Sequence, residues 1–231
     1  MILGIETATA RLSIALHDGE RVHAAININR GNAHDELLVP LCRDLIAHAN
    51  LSMEELRGVA VSAGPGSFTG LRIGMAAAKG IAFGRSLPLF AIPTLDAAAE
   101  TVARSWHVAE GCMLAVCMDA KRGDVYIATY ALETYRWTKK RETRVVPSAE
   151  LPASLPDGIL LAGDAAESVS MASPDRFRLL SDAAAVFDAR SVAALGARMI
   201  SEGRSSDIDN CEPLYIRAFE IKEAKPLLSR M

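Results

Sequence analysis

Short apolar runs open the chain. Met1 to Ile5, Arg11 to Leu16 and Arg21 to Ile28 each read as a strand, and Asp18-Gly19 between the last two is a hairpin signal, because both residues tolerate positive φ. The period then lengthens. Leu37, Leu38, Leu41 and Leu45 recur at three- and four-residue spacing and predict a helix over 33–49. Pro40 falls inside it; its ring and missing donor cost about 3 kcal/mol in a helix interior, which predicts a kink or a later start. Leu51-Ser52-Met53-Glu54-Glu55-Leu56 carries a helix-start signature, with Ser52 and Glu55 as a capping box and Gly58 as the stop. Val59 to Ala63 reads as a buried strand, a glycine-rich turn follows over Gly64 to Gly70, and a small-residue helix runs to about Arg85. Leu87 to Ile92 predicts a strand and Thr94 to Trp106 a helix capped by Thr94.

The order then begins again. Cys112 to Met118, Val125 to Ala131 and Tyr135 to Val146 read as three strands, the third more polar. After a segment with Pro147, Pro152 and Pro156 come a strand at Ile159 to Ala162 and a helix at Ala165 to Ala172. A second helix over Ala189 to Glu202 carries Val192, Leu195 and Met199 on one face, and Leu214 to Ile216 reads as a last short strand. Each half thus opens with three strands and continues with alternating helix and strand. Antiparallel strands followed by crossovers make a mixed sheet with helices on its faces. The expected architecture is α/β: a duplicated ribonuclease-H-like, or actin-like ATPase (ASKHA), fold with two lobes, each a mixed five-stranded-type sheet flanked by helices. The lobes divide as 1–108, with the dimerisation helices, and 109–231, smaller and diverged.

Composition narrows the partners. The chain has 231 residues, half of them apolar, enough for a sizeable core. Twenty-five Lys and Arg against 28 Asp and Glu give a formal charge of −3. A protein held mainly by nucleic-acid phosphates is normally basic, so any RNA contact is local or supplied by a partner. Cys42, Cys112, Cys117 and Cys211 include no Cys-x-x-Cys pair and read as reduced, mostly buried thiols. No basic segment followed by a long apolar run marks a signal peptide, and no apolar run reaches the roughly 18 residues that span a bilayer. A cytoplasmic protein without membrane contact is the expectation.

The segment Gly64-Pro65-Gly66-Ser67-Phe68-Thr69-Gly70-Leu71-Arg72 joins a buried strand to a helix. Its glycines allow a tight turn, and Ser67 or Thr69 can cap the helix. Helix-start amides can also take an anion. It lacks the Gly-Lys-Ser/Thr of a P-loop and the Gly-x-Gly-x-x-Gly of dinucleotide folds. Both readings stand: a structural turn, or an anion or partner site. The helix that follows sets Gly70, Gly74 and Ala78 on one face and Ile73, Ala77, Gly80 and Gly84 on an adjacent one. Each interior Gly costs about 1 kcal/mol relative to Ala, so a close contact must compensate, either within the fold or with a second chain. Tyr135, Arg136, Trp137, Lys139, Lys140, Arg141 and Arg144 form a short basic and aromatic stretch. It reads as a solvated polar hairpin or as a base-stacking RNA contact.

Four segments carry a resemblance. Ile2-Leu3-Gly4-Ile5-Glu6-Thr7-Ala8, His34-Asp35-Glu36-Leu37-Leu38-Val39-Pro40, Gly64 to Gly74 and Asp119-Ala120-Lys121-Arg122-Gly123-Asp124-Val125-Tyr126 closely resemble the TsaB (YeaZ) family. The resemblance runs over essentially the whole chain and is strongest up to residue 130. These bacterial proteins take part in making N6-threonylcarbamoyladenosine at position 37 of tRNAs that read ANN codons. The resemblance implies a non-catalytic paralogue of TsaD: a homodimer when alone, a heterodimer with TsaD, a further partner in TsaE, and tRNA met through the complex. It implies a partner interface at His34, Leu37, Leu38, Leu41, Leu45, Gly70, Ile73, Gly74, Ala77, Ala78 and Ile81, where Gly74→Leu would block assembly without unfolding the monomer. Glu6 and Asp119 fall where actin-like kinases place the acids of their nucleotide cleft, here expected to be vestigial. Glu6 stands where relatives usually carry Asp, and Asp35 where Ser is usual. No catalytic residue, no metal and no intrinsic cofactor are expected; ATP or ADP would enter only at a complex interface. TsaD relatives hold a metal with His-x-x-x-His, which this chain lacks around His34. The alternative is a nucleotide-dependent phosphotransferase of the actin-like kinase type using Glu6 and Asp119.

Overall fold

A computed structural model describes residues 1–30 and 33–216. The end of the expected second lobe, 217–231, lies outside the described residues.

Strands β1 (Ile2–Glu6), β2 (Leu12–His17), β3 (Val22–Ile28), β4 (Gly58–Gly64) and β5 (Leu89–Pro93) form the first sheet, in the order β3-β2-β1-β4-β5. The β1–β2 and β2–β3 pairs are antiparallel; β4 pairs in parallel with both β1 and β5. Strands β6 (Met113–Asp119), β7 (Asp124–Glu133), β8 (Arg136–Pro147), β9 (Leu160–Ala162) and β10 (Arg178–Leu179) form the second. Read from its β8 edge, that sheet is β8-β7-β6-β9-β10, with the same alternation of antiparallel and parallel pairs. The two halves therefore share one plan: the first three strands of each as a meander, the next two added beyond the first.

Every residue of β1, β2 and β4 is buried, as expected of strands covered on both faces. Helices α1 (His34–His48) and α2 (Phe68–Gly84) cover one face of the first sheet through Leu38, Cys42, Leu45, Met75 and Ala78. Helix α1 starts at His34 and runs through Pro40, whose exposed position leaves the freed carbonyl to solvent. The Ser52 signature yields only a three-residue 3-10 turn, Met53–Glu55, with the Glu55 carboxylate accepting the Ser52 amide at 2.8 Å.

Helix α3 (Thr94–Ser105) and the last helix cover the other face. After the short helices α4 (Leu151–Ser154) and α5 (Ala166–Met171), α6 (Ala189–Ser201) returns to the first sheet. The sequence division places residues 189–201 in the second lobe, but Val192, Ala193 and Ala197 pack with Ile2, Ala60, Phe90 and Ile92. Of the apolar face read from the sequence, Val192 lies in this core, whereas Leu195 and Met199 are only half-buried and the small side chains of α6 lie flush on the strands. Leu214 to Ile216 is not a strand; that segment meets β4 through one backbone bond, the Leu214 amide to the Ala63 carbonyl at 2.6 Å.

One core cluster crosses between the lobes. Ala8, Leu71, Leu95, Ala98 and Val102 pack with Leu114, Val116, Met118, Ala128 and Tyr130. The Tyr130 hydroxyl donates to Asp96 at 2.7 Å, and Lys139 pairs with the same carboxylate at 2.7 Å.

Candidate functional site

Two features stand out, a cleft between the lobes and an apolar helix face beside it. The cleft encloses about 660 Å³. Its first-lobe wall is the loop after β1 (Ala8, Thr9, Ala10), the start of α1 (His34, Asp35) and the start of α2 (Gly66 to Gly70, Ile73). Its second-lobe wall is the end of β6 with the following turn (Met118 to Lys121), Tyr126 and Asp164. The glycine-rich turn builds much of the first wall. The Gly64–Pro65 peptide is cis, and Gly64 sits at φ +114° with the Leu214 carbonyl 2.6 Å from where a Cβ would lie, so only glycine fits. The Ser67 amide donates to the Ala8 carbonyl at 2.7 Å, and the Ser67 hydroxyl accepts from the Gly70 amide at 3.2 Å. Ser67 is therefore the helix cap, and Thr69 stays exposed on the cleft wall. Arg72 leaves the loop outward, its guanidinium 3.8 Å from the Phe68 ring centre and its Nε donating to the Tyr215 hydroxyl at 3.0 Å.

The two acids aligned with kinase cleft positions part company. Asp119 lines the cleft, where the Lys121 ammonium meets its carboxylate at 2.6 Å and the Lys121 amide donates to it at 2.7 Å. Burial pushes the Asp119 carboxyl up, but those bonds outweigh it and hold the group below its ordinary value. Glu6 does not line the cleft. It is wholly buried beneath it, with Oε1 accepting the Ala8 amide at 2.6 Å and the Ser62 hydroxyl at 3.1 Å. Its Oε2 has no partner among the described residues. Burial raises its pKa to about 7 against the pull of those two bonds. The β1 end that carries Glu6 turns inward because Thr7 and Ala8 dock on α2, so a position expected at a ligand serves as the anchor of a loop.

The expected interface residues also divide. Leu38, Leu45, Gly70, Gly74 and Ala78 are buried within the chain. Gly70 and Gly74 are small because β1 ends against them: a Cβ would lie 2.1 Å from the Thr7 carbonyl oxygen and 2.2 Å from Thr7 Oγ1 respectively. Of the two readings left open by the small-residue helix, contact within the fold holds for this face. His34, 7% exposed, lines the cleft rather than the helix face, and its Nε2 has no partner among the described residues. Leu37, Leu41, Ile73, Ala77 and Ile81 are half-buried against the first-lobe core.

The outermost stripe of α2 is different. Ala76, Gly80, Phe83 and Gly84 recur at three- and four-residue spacing and are exposed, Phe83 at 77%. Val39 of α1 is exposed as well. A Cβ at Gly80 or Gly84 would meet nothing within 4 Å. Phe83 and Ala76 were absent from the expected interface; the signal that could have found them is the 76-80-83 spacing around a glycine. Among the described residues no group of three His, Cys, Asp or Glu side chains gathers as a metal site, and no helix is long and apolar enough to cross a membrane.

Known proteins resemble this chain over most of its length. Residues 29–172, more than half of the chain, match the family described as TsaD: tRNA N6-adenosine threonylcarbamoyltransferase. The tRNA threonylcarbamoyladenosine biosynthesis protein TsaB of Escherichia coli is 27% identical over 94% of this chain and 94% of its own. Its namesake in Haemophilus influenzae is 35% identical over 58% of this chain and 56% of its own. A solved Pseudomonas aeruginosa protein, described as uncharacterized with similarity to peptidase YEAZ, superposes with a TM-score of 0.80 at 25% identity, covering 94% of this chain and 99% of that one. A ROK hexokinase from Thermus thermophilus shares the fold alone, at TM-score 0.51 and 12% identity over 87% and 99% of the two chains. The fold is the duplicated actin-like one, and the chain belongs to the TsaD family, within it to the TsaB (YeaZ) group of tRNA threonylcarbamoyladenosine biosynthesis proteins.

Proposed function

We propose that this chain is a scaffold subunit of the machinery that forms N6-threonylcarbamoyladenosine on tRNA, and that it works by presenting the outer face of α1 and α2 to the catalytic paralogue TsaD or to a second copy of itself. The observation that carries this reading is the exposed stripe Ala76, Gly80, Phe83 and Gly84, an apolar ridge with an aromatic residue beside two glycines on a rigid 17-residue helix. Aromatic side chains anchor interfaces, and small neighbours let a partner helix approach closely. In this reading the subunit contributes no catalytic residue: Glu6 is withdrawn from the cleft and Asp119 is engaged by Lys121. The same burial of Glu6 weighs against a phosphotransferase. Nucleotide, where the pathway uses it, is held at an interface with a partner, and TsaE and tRNA are met through the assembled complex.

The test is nucleoside analysis of total tRNA from cells depleted of this protein and resupplied with wild type, Phe83→Glu or Glu6→Gln. Threonylcarbamoyladenosine restored by wild type and Glu6→Gln but not by Phe83→Glu is the expected result. Full restoration by Phe83→Glu overturns the role of the helix face, and failure of Glu6→Gln alone returns that acid to the chemistry.

A further inference from the structure

The β7–β8 hairpin closes on two residues, Thr134 and Tyr135, at φ +53° and +60°. A two-residue loop of this kind favours Asn-Gly or Asp-Gly, because both positions need positive φ. Here neither residue is glycine, and a carboxylate holds the turn in place: Glu110 accepts the Thr134 amide on Oε1 and the Tyr135 amide on Oε2, the latter at 3.2 Å. The outcome is a tyrosine ring that is 86% exposed at the tip of a fixed turn. It forms one wall of a groove of about 410 Å³ whose other walls are Trp106, His107, Val108 and Leu132. Backbone strain kept at a surface tyrosine points to a use for its ring.

Most charges around the turn are engaged. Glu110 is occupied by the turn amides, Glu133 by Lys140, and Asp96 by Lys139. Arg136 directly follows the tyrosine, and Arg141 lies further along the same strand; both are exposed and make no ion pair among the described residues. Arg136 stands opposite Glu133 in the ladder, but that carboxylate goes to Lys140. Glu142 makes a second, longer pair with Lys139 at 3.6 Å, which leaves Arg136 as the cation beside the tyrosine that no carboxylate engages among the described residues.

We propose that the groove between Trp106 and the Tyr135 turn is a binding site for an unpaired nucleobase of single-stranded RNA, with the base stacked on Tyr135 and Arg136 meeting an adjoining phosphate. Every base offers a π-face to an aromatic ring, and an unpaired strand can splay one out, which a duplex cannot. The site is separate from the α1–α2 face and goes beyond the assembly role, so each can fail without the other.

The test is fluorescence anisotropy of a labelled oligouridylate titrated with the full chain at about 50 and 200 mM salt, with a duplex RNA of equal length as control. Wild type should bind the single strand more tightly than the duplex. Tyr135→Ala should weaken single-strand binding by about 5- to 100-fold, while Tyr135→Phe stays within about twofold of wild type, since the ring and not the hydroxyl is used. Arg136→Ala should lower the salt slope by about 0.7, the signature of one lost phosphate contact on a single strand. Phe83→Glu should leave RNA binding unchanged. An unaltered melting temperature in Tyr135→Ala separates a lost site from a lost fold. Absence of binding by wild type at about 50 mM salt overturns the proposal. So does equal binding by wild type and Tyr135→Ala.

Discussion

Thr7 and Gly74 are in contact at the limit of what a backbone allows: a Cβ on Gly74 would stand 2.2 Å from Thr7 Oγ1. Thr7 is wholly buried at the end of β1, so it has no room to yield. The expectation that Gly74→Leu blocks assembly and spares the monomer therefore fails on geometry. Even Gly74→Ala should lower stability by about 1–3 kcal/mol through overpacking, measured by urea unfolding of the isolated chain. Unchanged stability would show that the helix can slide away from Thr7.

Gly80, six residues on, should behave in the opposite way. It is exposed, with open space where a side chain would project. Gly80→Ala should stabilise a monomer by about 0.5–1 kcal/mol through helix propensity alone. Gly80→Leu should leave the fold intact and hinder close approach of a second helix. Urea unfolding reads the first and light scattering the second, and an unchanged oligomer in Gly80→Leu counts against the helix face as an interface.

Phe83→Glu places a charge on the same ridge without touching the core. The melting temperature should hold, while the affinity of self-association or of binding to a paralogue falls by at least about tenfold, a change of about 1.4 kcal/mol. Sedimentation over a concentration series would reveal it; a curve matching that of wild type would remove Phe83 from the interface.

Leu38, read from the sequence as an interface residue, is a core residue and should respond as one. Leu38→Ala should cost about 2–5 kcal/mol of folding stability, visible as a lower urea midpoint. A loss confined to association, with the midpoint unmoved, would return Leu38 to the surface.

Glu6 links the buried loop to pH. Its carboxyl titrates at about 7 in the folded chain against an ordinary 4.5, because burial disfavours the charge. Between those values the native state holds a proton that the unfolded state has released. Stability is therefore greatest below about pH 4.5 as far as this group is concerned, and falls as pH rises through 7, by on the order of 3 kcal/mol in all. Glu6→Gln lacks that proton equilibrium. Its stability relative to wild type should rise between pH 5 and pH 8 in urea unfolding, and a difference independent of pH would refute the assignment.

Much of the fold is legible in the chain because its signals are local. The apolar runs of β1 to β9 and the cap at Ser67 arise within a few residues of where they act. What a surface touches is not local. On α6 the expected face holds at Val192 but not at Leu195 and Met199, which are larger than Ala193 and Ala197, yet it is the small residues that lie flat on β1 and β4. Gly74 and Gly80 look alike in sequence, and only the position of Thr7 tells them apart. The basic stretch of β8 was ambiguous for a further reason. β8 is an edge strand, where lysines and bulges discourage pairing with another chain, so most of its charge has a structural use and only the tip and the unpaired arginines call for another.

The return of α6 to the first sheet also sets a timetable. β1 is made long before α6, so one face of its sheet stays only partly covered until residues 189–201 have been made. At cellular synthesis rates that is a wait of about 10–40 s. During it Ile2, Ala60, Phe90 and Ile92 lack the cover that α6 later supplies. A stop codon anywhere before α6 would leave a chain unable to complete even the lobe whose strands it already contains.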